Sequence, residues 1–227
     1  VEPSPESDAD GRSGALRIDR QLWACLGDLR QPSLAWAFGF AILATVLNHV
    51  PYEFYQPYLD LLVSGTGFDG KAPAATGLHM AIGTGIGAWV AGHSAAVSRR
   101  IGRQWTLMGA LALQVCIIAT MGTVLHVVVA GLILLRGVPS ALAAAPLRAA
   151  VTPRVPESRR ATFLSLQSLV GRLAFAATLT LLGWYAGSAD PDNWPALASL
   201  LRAGAAVGVV GLALLLLLRP AETSESE

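Results

Sequence analysis

Charged residues are scarce in this chain of 227 residues: Asp, Glu, Lys and Arg make up only 14% of it. Soluble domains usually carry about 25%. The net charge is only +1, which argues against the strongly basic surface that nucleic-acid-binding proteins present, so no nucleic-acid partner is expected. Hydrophobic residues make up 53% of the chain, and this excess predicts a membrane protein.

Motifs for metal, cofactor or catalytic chemistry are also missing. The two cysteines, Cys25 and Cys116, lie far apart and form neither a metal-binding nor a redox spacing. The glycine-rich stretch at 83–87 lies inside an apolar block with no lysine after it, so it is not a phosphate-binding loop. We therefore expect no enzyme activity, no cofactor and no metal. Three histidines near the ends of apolar blocks are expected to have no functional role: His79, His93 and His126.

The two ends of the chain are polar. Residues 1–14 are acidic and rich in Pro and Ser, which predicts a disordered linker and not a signal peptide. A chain that opens on such a linker without Met is expected to be part of something longer. Residues 15–31 combine leucines at helical spacing with charges, which predicts an amphipathic helix on the cytoplasmic membrane surface, ended by Pro32. Residues 219–227 are predicted to form a disordered cytoplasmic tail.

Six apolar blocks lie between these ends, each near the roughly 20 residues that a transmembrane helix needs. They predict an all-α membrane protein with six transmembrane helices. Pro51 and Pro57 are expected to bend the second half of the first helix. A tight turn at 121–123 is expected between the third and fourth. The blocks cover about 33–62, 74–97, 105–122, 124–150, 161–186 and 195–218.

Positive charge alternates along the connections between the blocks. Arginines lie before the first block, and after the second, fourth and sixth: Arg12, Arg17, Arg20 and Arg30; Arg99, Arg100 and Arg103; Arg154, Arg159 and Arg160; Arg219. The other connections hold Lys71 beside Asp69, and Asp190 with Asp192. By the positive-inside rule both termini are cytoplasmic, which requires an even number of spans. The predicted location is the cell (inner) membrane.

Arg136 stands out in the middle of the fourth block, roughly 18 Å from the outer end at 1.5 Å per residue. A guanidinium at that depth costs about 2.5 kcal/mol or more, so it should face a partner or a wet cavity. Arg172 reaches a similar level in the fifth block, whereas Glu53 is the only acid in the middle of any block. The arginines either serve an anionic substrate or a water-filled cavity, or find acids elsewhere. Alternatively, Arg136 holds backbone carbonyls and Arg172 belongs to a polar packing face.

Glu53 is the candidate proton carrier, because an acid desolvated in an apolar wall can load and unload a proton near neutral pH. His49 lies one turn deeper. Tyr55 belongs to an aromatic cluster around Glu53 that forms either an interfacial belt or a cavity wall. Glycines four residues apart should let helix backbones approach closely, or alternatively permit sliding: Gly83 with Gly87, and Gly204 with Gly208.

Several segments resemble the C-terminal half of major facilitator superfamily transporters. The connection AVSRRIGRQW at 96–105 resembles the family's basic loop motif, in which Arg100, Gly102 and Arg103 match and Arg99 takes the place of the acid. The stretch LILLRGVPSALAAA at 132–145 resembles the family's Leu-x-x-x-Arg-x-x-Gln-Gly pattern, with Arg136 matching. Residues 156–173 look like the entry to the family's eleventh helix, and residues 54–59 like its seventh.

The resemblance implies two six-helix bundles that rock around a midplane site. This chain would supply one of them, with the missing N-terminal half or a second copy as its partner. The first, second, fourth and fifth helices would lie nearest the cavity, and the third and sixth at the periphery. The resulting hypothesis is a proton-coupled secondary transporter of a small molecule, in which Glu53, Arg136, Arg172, His49 and Tyr55 serve substrate binding or coupling. The rival is a stand-alone six-helix channel or assembly subunit without alternating access.

Overall fold

The computed structural model describes residues 20–63, 72–187 and 193–220, and all regular structure in these ranges is helical. Residues 20–28 form α1. The remaining helices are α2 (Pro32–Val63), α3 (Ala72–Ile101), α4 (Arg103–Met121), α5 (Val127–Ile133), a 3-10 segment (Leu134–Gly137), α6 (Val138–Val151), α7 (Glu157–Ala186) and α8 (Trp194–Leu217). The predicted linker at 1–14, the acidic connection around Asp190 and the pair Asp69 and Lys71 lie outside the described residues.

Five helical segments in the described ranges are long and apolar enough to cross a membrane, which makes the chain a multi-pass membrane protein. They are α2, α4, the continuous run α5 to α6, α7 and α8. The second predicted span, at about 74–97, corresponds to α3, which has 30 residues but is not among the five. Its sequence carries many Gly, Ala, Thr, Ser and His residues in place of Leu and Val. α3 is therefore long enough to span the membrane, but its composition favours insertion into lipid less strongly than that of the other helices.

The fourth predicted helix, at about 124–150, differs from one regular helix. The α-helical run begins at Val127 and is interrupted at Leu134–Gly137. The preceding turn is longer than the expected 121–123, because residues 122–126 are not helical. The Tyr58 hydroxyl of α2 anchors this turn by accepting from the backbone N–H of His126 at 3.0 Å. α2 itself stays helical through Pro51 and Pro57.

The core forms where α2 packs against α7, α8, α4 and α6. α3 lies outside this group and packs mainly on α6 and the 3-10 segment. Fully buried apolar side chains fill the space between α2, α4 and α8: Phe40, Leu47, Leu107, Ile118, Leu197 and Leu201. A buried amide, Gln114 of α4, donates to the Leu47 carbonyl at 3.1 Å. Such a polar contact ties α4 to α2 where lipid gives no hydrophobic drive between helices.

The close approach predicted at the paired glycines is confirmed. A Cβ built at Gly208 of α8 would lie 2.7 Å from the Val115 side chain, and one at Gly204 would lie 3.2 Å from Val50. On α3, a Cβ at Gly83 would lie 3.1 Å from the Leu134 carbonyl oxygen. Gly87 faces the backbone of Gly137. These small residues therefore set how closely α3 and α8 pack on their neighbours.

α1 docks on the beginning of α7. Asp28 forms an ion pair of 2.9 Å with Arg159, and the buried Cys25 thiol contacts the Arg159 carbonyl at 4.0 Å. Pro32 does not end this helix: it begins α2, after a turn at 29–31. The predicted amphipathic helix at 15–31 is described only from residue 20 onward, and there it keeps Trp23 74% exposed. This exposed ring fits a helix at a membrane surface.

The first residues of the predicted tail are packed. The Arg219 guanidinium lies over the Trp105 ring, 5.1 Å from its centroid, and the Pro220 carbonyl accepts from Gln104 at 3.2 Å. Expecting disorder from residue 219 onward was therefore wrong for these two residues, because the end of α8 lies beside the start of α4. Residues 221–227 lie outside the described part of the chain.

Candidate functional site

The helix that carries Arg136 changes its hydrogen bonding at that residue. Pro139 has no N–H, so it cannot donate to the Leu135 carbonyl four residues earlier. The Val138 N–H donates to that carbonyl instead, which is the 3-10 pattern. Arg136 therefore lies in a tightened turn, about 14 Å along the span that begins at Val127. Such mid-helix breaks in membrane proteins occur where the backbone lines a cavity or is covered by protein.

Arg136 points toward α3 and α2. One terminal nitrogen of its guanidinium lies 3.2 Å from His79 Nδ1, and the other contacts the Met80 sulfur. The guanidinium carbon stacks over the Tyr55 ring, 4.6 Å from the centroid. Among the described residues no carboxylate forms an ion pair with Arg136. The charge is therefore held by an imidazole, a thioether and a π face, not by a counter-ion.

His79 connects three elements. Its Nε2 lies 3.0 Å from the carbonyl oxygen of Ala130 in α5, and its ring stacks on Tyr55 of α2 at 6.0 Å with an interplanar angle of 13°. A carbonyl oxygen can only accept, so Nε2 must carry the hydrogen. Nδ1 is then the acceptor for Arg136. The contacts on both nitrogens thus select the neutral imidazole with its proton on Nε2.

An open cleft of about 500 Å³ borders Arg136 and is formed by α2, α3, the 3-10 segment and α6. Its α3 wall consists of small residues, including Gly83, Gly87 and Ala91. Besides Arg136 and backbone atoms, the polar groups on its wall are Asn48, Tyr52, Thr84 and Ser140. This volume lies within the range of small-molecule sites, roughly 300–1,000 Å³. The arrangement suits binding of a small anion beside one guanidinium.

A second, much smaller cavity lies behind the cleft, between α2, α4 and α6. Its volume is about 30 Å³, enough for a single water molecule. Gln114 lines it, and the Oε1 of this 2% exposed side chain has no hydrogen-bond partner. Asn48 and Ser140 line both cavities. These two side chains therefore border both the cleft and the cavity that Gln114 lines.

The structure brings together only some of the residues singled out from the sequence. Arg136 and Tyr55 are in contact. His49 instead interacts with the Thr45 carbonyl and the Phe175 ring. Glu53 and Arg172 are exposed and do not line the cleft. Their proposed substrate or coupling roles stay predictions. α7, expected beside the cavity, contributes no residue to this cleft, because it packs on α2 and α8.

The residues of the basic loop motif lie at the other end of α3. Arg99 and Arg100 are exposed in its last turn. Gly102 alone separates α3 from α4 and has a φ of +89°, a conformation that favours glycine. Arg103 begins α4. The backbone conformation at Gly102 therefore explains why the motif has a glycine here, whether or not its arginines form ion pairs.

Sequence reasoning missed His79, which was expected to have no role. Its two hydrogen-bond partners come from residues 51 and 57 positions away, and no local spacing indicates them. Asn48, Thr84 and Ser140 were missed as well. A usable signal was available: Thr84, Ser140 and Asn48 are polar residues inside otherwise apolar blocks, and such residues usually face the bundle interior or a cavity.

No group of three or more His, Cys, Asp or Glu in the described ranges could hold a metal ion. No protein-family model, curated protein or solved structure matches this chain.

Proposed function

We propose that this chain forms one bundle of a proton-coupled secondary transporter that moves a small molecule by alternating access. The observation that carries the proposal is Arg136: a guanidinium in mid-span, without a carboxylate partner among the described residues, on the wall of an open cleft of about 500 Å³. An arginine that only held the fold together would be expected to point at carbonyls or carboxylates.

Two features favour a bundle that changes conformation during transport and argue against a pore of fixed shape. The 3-10 segment interrupts the helix at Arg136, and such breaks mark hinges. α3 packs on that segment through glycines, which leave the interface smooth enough for one helix to shift along the other. The exposed Glu53 and Arg172 would complete the site if they faced a second bundle, either another half or a second copy.

The rival function is a six-helix channel or assembly subunit without alternating access. The full chain should be reconstituted in proteoliposomes that contain a pH-sensitive dye, and a panel of small carboxylates, phosphates and amines should be added outside. Transport predicts saturable proton movement with one class of compound and its loss in Arg136→Gln. Arg148→Gln, in the last turn of α6, is the matched control and should retain movement. Unitary ion currents that persist in Arg136→Gln would favour the channel.

A further inference from the structure

The hydrogen bond between His79 and Arg136 exists in only one protonation state of the imidazole. His79 gives its Nε2 hydrogen to the Ala130 carbonyl and receives the Arg136 hydrogen on Nδ1. A second proton can enter only at Nδ1, 3.2 Å from a guanidinium nitrogen. The acceptor would then become a donor, and two positive charges would face each other. Proton binding at His79 and the present position of Arg136 therefore exclude one another.

When that hydrogen bond is lost, the Arg136 side chain can move into the cleft. Its side chain already borders the cleft, where Asn48, Thr84 and Ser140 offer polar groups. The Tyr55 ring, buried to 3% exposure, provides a fixed surface beneath the guanidinium and lies 4.6 Å from it. A guanidinium released from Nδ1 presents paired N–H donors to the cleft, and this fork matches a carboxylate in two parallel hydrogen bonds.

The cleft contains one formal charge. Arg136 is the only ionised side chain among its described lining residues. One guanidinium balances one negative charge, so a monoanion fits better than a dianion. The glycine and alanine wall on α3 and the Tyr52 ring leave room for an apolar body beside the charged group.

We propose that His79 is a proton-controlled positioning residue for Arg136, and that the released guanidinium binds a small monocarboxylate in the cleft. The biological role of this site rests on the proposed transport function. The inference adds two things to that function: the class of substrate that binds in the cleft, and the residue that binds the proton. Proton and carboxylate then bind together, since each favours the same position of Arg136. By linkage, lower pH strengthens carboxylate binding.

Few other charges face His79. α2 presents Tyr55 to the imidazole ring, and the 3-10 segment presents Arg136. α6 carries only Arg148, in its last turn. α4 carries Arg103 at its first residue, beside the far end of α3, and the exposed Cys116. The pH dependence can therefore be assigned to His79 by substitution.

The experiment measures binding of benzoate to the full chain in lipid nanodiscs by calorimetry, at about pH 5.5 and about pH 7.5. Carboxylates are ionised at both values, because their usual pKa is about 4. We expect benzoate to bind about tenfold more tightly at the lower pH. In His79→Gln, which keeps a donor for Ala130 but cannot gain a proton, the affinity should not change with pH.

Three variants complete the test. Arg136→Gln should lose benzoate binding at both pH values. His93→Gln should behave as wild type, because His93 is exposed and, within the described part of the chain, its ring nitrogen bonds to the Trp89 carbonyl of its own helix. His79→Asn gives a second neutral substitution, and size-exclusion profiles establish that each variant is folded. Inorganic phosphate and acetate are the comparison anions at the same ionic strength.

Equal benzoate affinity at both pH values in the wild type, unchanged pH dependence in both His79 variants, or no binding of benzoate and acetate would overturn the proposal. Tighter binding of phosphate than of benzoate would overturn the monocarboxylate class. Benzoate uptake into proteoliposomes separates the two proposals. If benzoate is taken up but its binding does not depend on pH, only the proposed role of His79 is disproved. The expected pH-dependent binding without uptake removes the transport function and leaves the site.

Discussion

Gly83 of α3 faces the carbonyl oxygen of Leu134 so closely that a Cβ at Gly83 would lie 3.1 Å from it. The neighbour is a backbone atom in the 3-10 segment, which cannot swing away as a side chain could. We expect Gly83→Leu to push α3 off this segment and to destabilise the bundle by about 1–3 kcal/mol, the usual cost of overpacking. The midpoint of thermal unfolding in detergent measures this loss.

Gly85 provides the matched control on the same helix. A Cβ at Gly85 meets nothing within 4 Å, so Gly85→Leu should unfold near the wild-type temperature. If both variants lose the same stability, the effect comes from placing leucine on α3, and the contact between Gly83 and Leu134 is not the cause.

The stacking of Arg136 on Tyr55 predicts a graded effect of the ring. Tyr55→Phe keeps an aromatic face under the guanidinium, whereas Tyr55→Leu removes it. A cation–π contact away from water contributes about 2 kcal/mol, which corresponds to a roughly thirtyfold loss of affinity. We expect Tyr55→Leu to weaken benzoate binding by that order and Tyr55→Phe to change it little. Equal losses in the two variants would assign the effect to the hydroxyl group.

The docking of α1 on α7 can be followed through Cys25. Burial raises the pKa of the Cys25 thiol, and the Asp28 carboxylate raises it further while Arg159 lowers it. Only the thiolate reacts, so labelling by a maleimide in a Cys116→Ser background should be slow at neutral pH and rise on the alkaline side. Asp28→Asn should speed labelling at neutral pH by about tenfold for each unit that the pKa falls, because it removes a negative charge and loosens α1.

The exposed Arg30 supplies the control for this effect. Arg30→Gln should label at the wild-type rate, since its side chain has no part in the ion pair between Asp28 and Arg159. Rapid labelling of wild-type Cys25 at neutral pH would show that α1 is not docked in solution.

Two single-cysteine variants, made in a background without Cys25 and Cys116, test whether α3 crosses the membrane. Phe68→Cys lies before α3, outside the described residues, and Arg100→Cys lies in its last turn. If α3 crosses the membrane, an impermeant maleimide added outside intact cells should label position 68 and not position 100. The arginine-rich end of α3 is expected on the cytoplasmic side. Labelling of both positions from one side would reduce the count to the five spans that composition supports.

Much of the helical framework could be predicted because lipid imposes a simple rule on sequence. The bounds of the six apolar blocks lie within about four residues of the observed helix ends. Gly83 and Gly204 could be assigned to close helix contacts because small residues replace the missing hydrophobic drive in lipid. Arg136 could be singled out because a guanidinium inside an apolar run is costly unless it meets a partner or water.

Which side chains of each helix point into the bundle could not be predicted. α2 is apolar on most sides, so its sequence does not reveal that Tyr55 turns inward while Glu53, two residues earlier, is exposed. The pairing of His79 with Arg136 depends on how α3 lies against the 3-10 segment, which is set by glycines far from Arg136 in sequence. The break at Leu134–Gly137 follows from Pro139, whose effect could be read as a bend but not as a change to 3-10 bonding.

The weak apolar character of α3 affects how the protein is made. A helix rich in Gly, Ala and Thr gains little by leaving the translocation machinery alone, and its main packing partners, the 3-10 segment and α6, are synthesised more than thirty residues later. If α3 crosses the membrane, we expect it to be stable in lipid only after the helix that carries Arg136 has been synthesised. The pocket between them is therefore completed late, and substitutions along the α3 glycines should be seen first as degraded nascent chains.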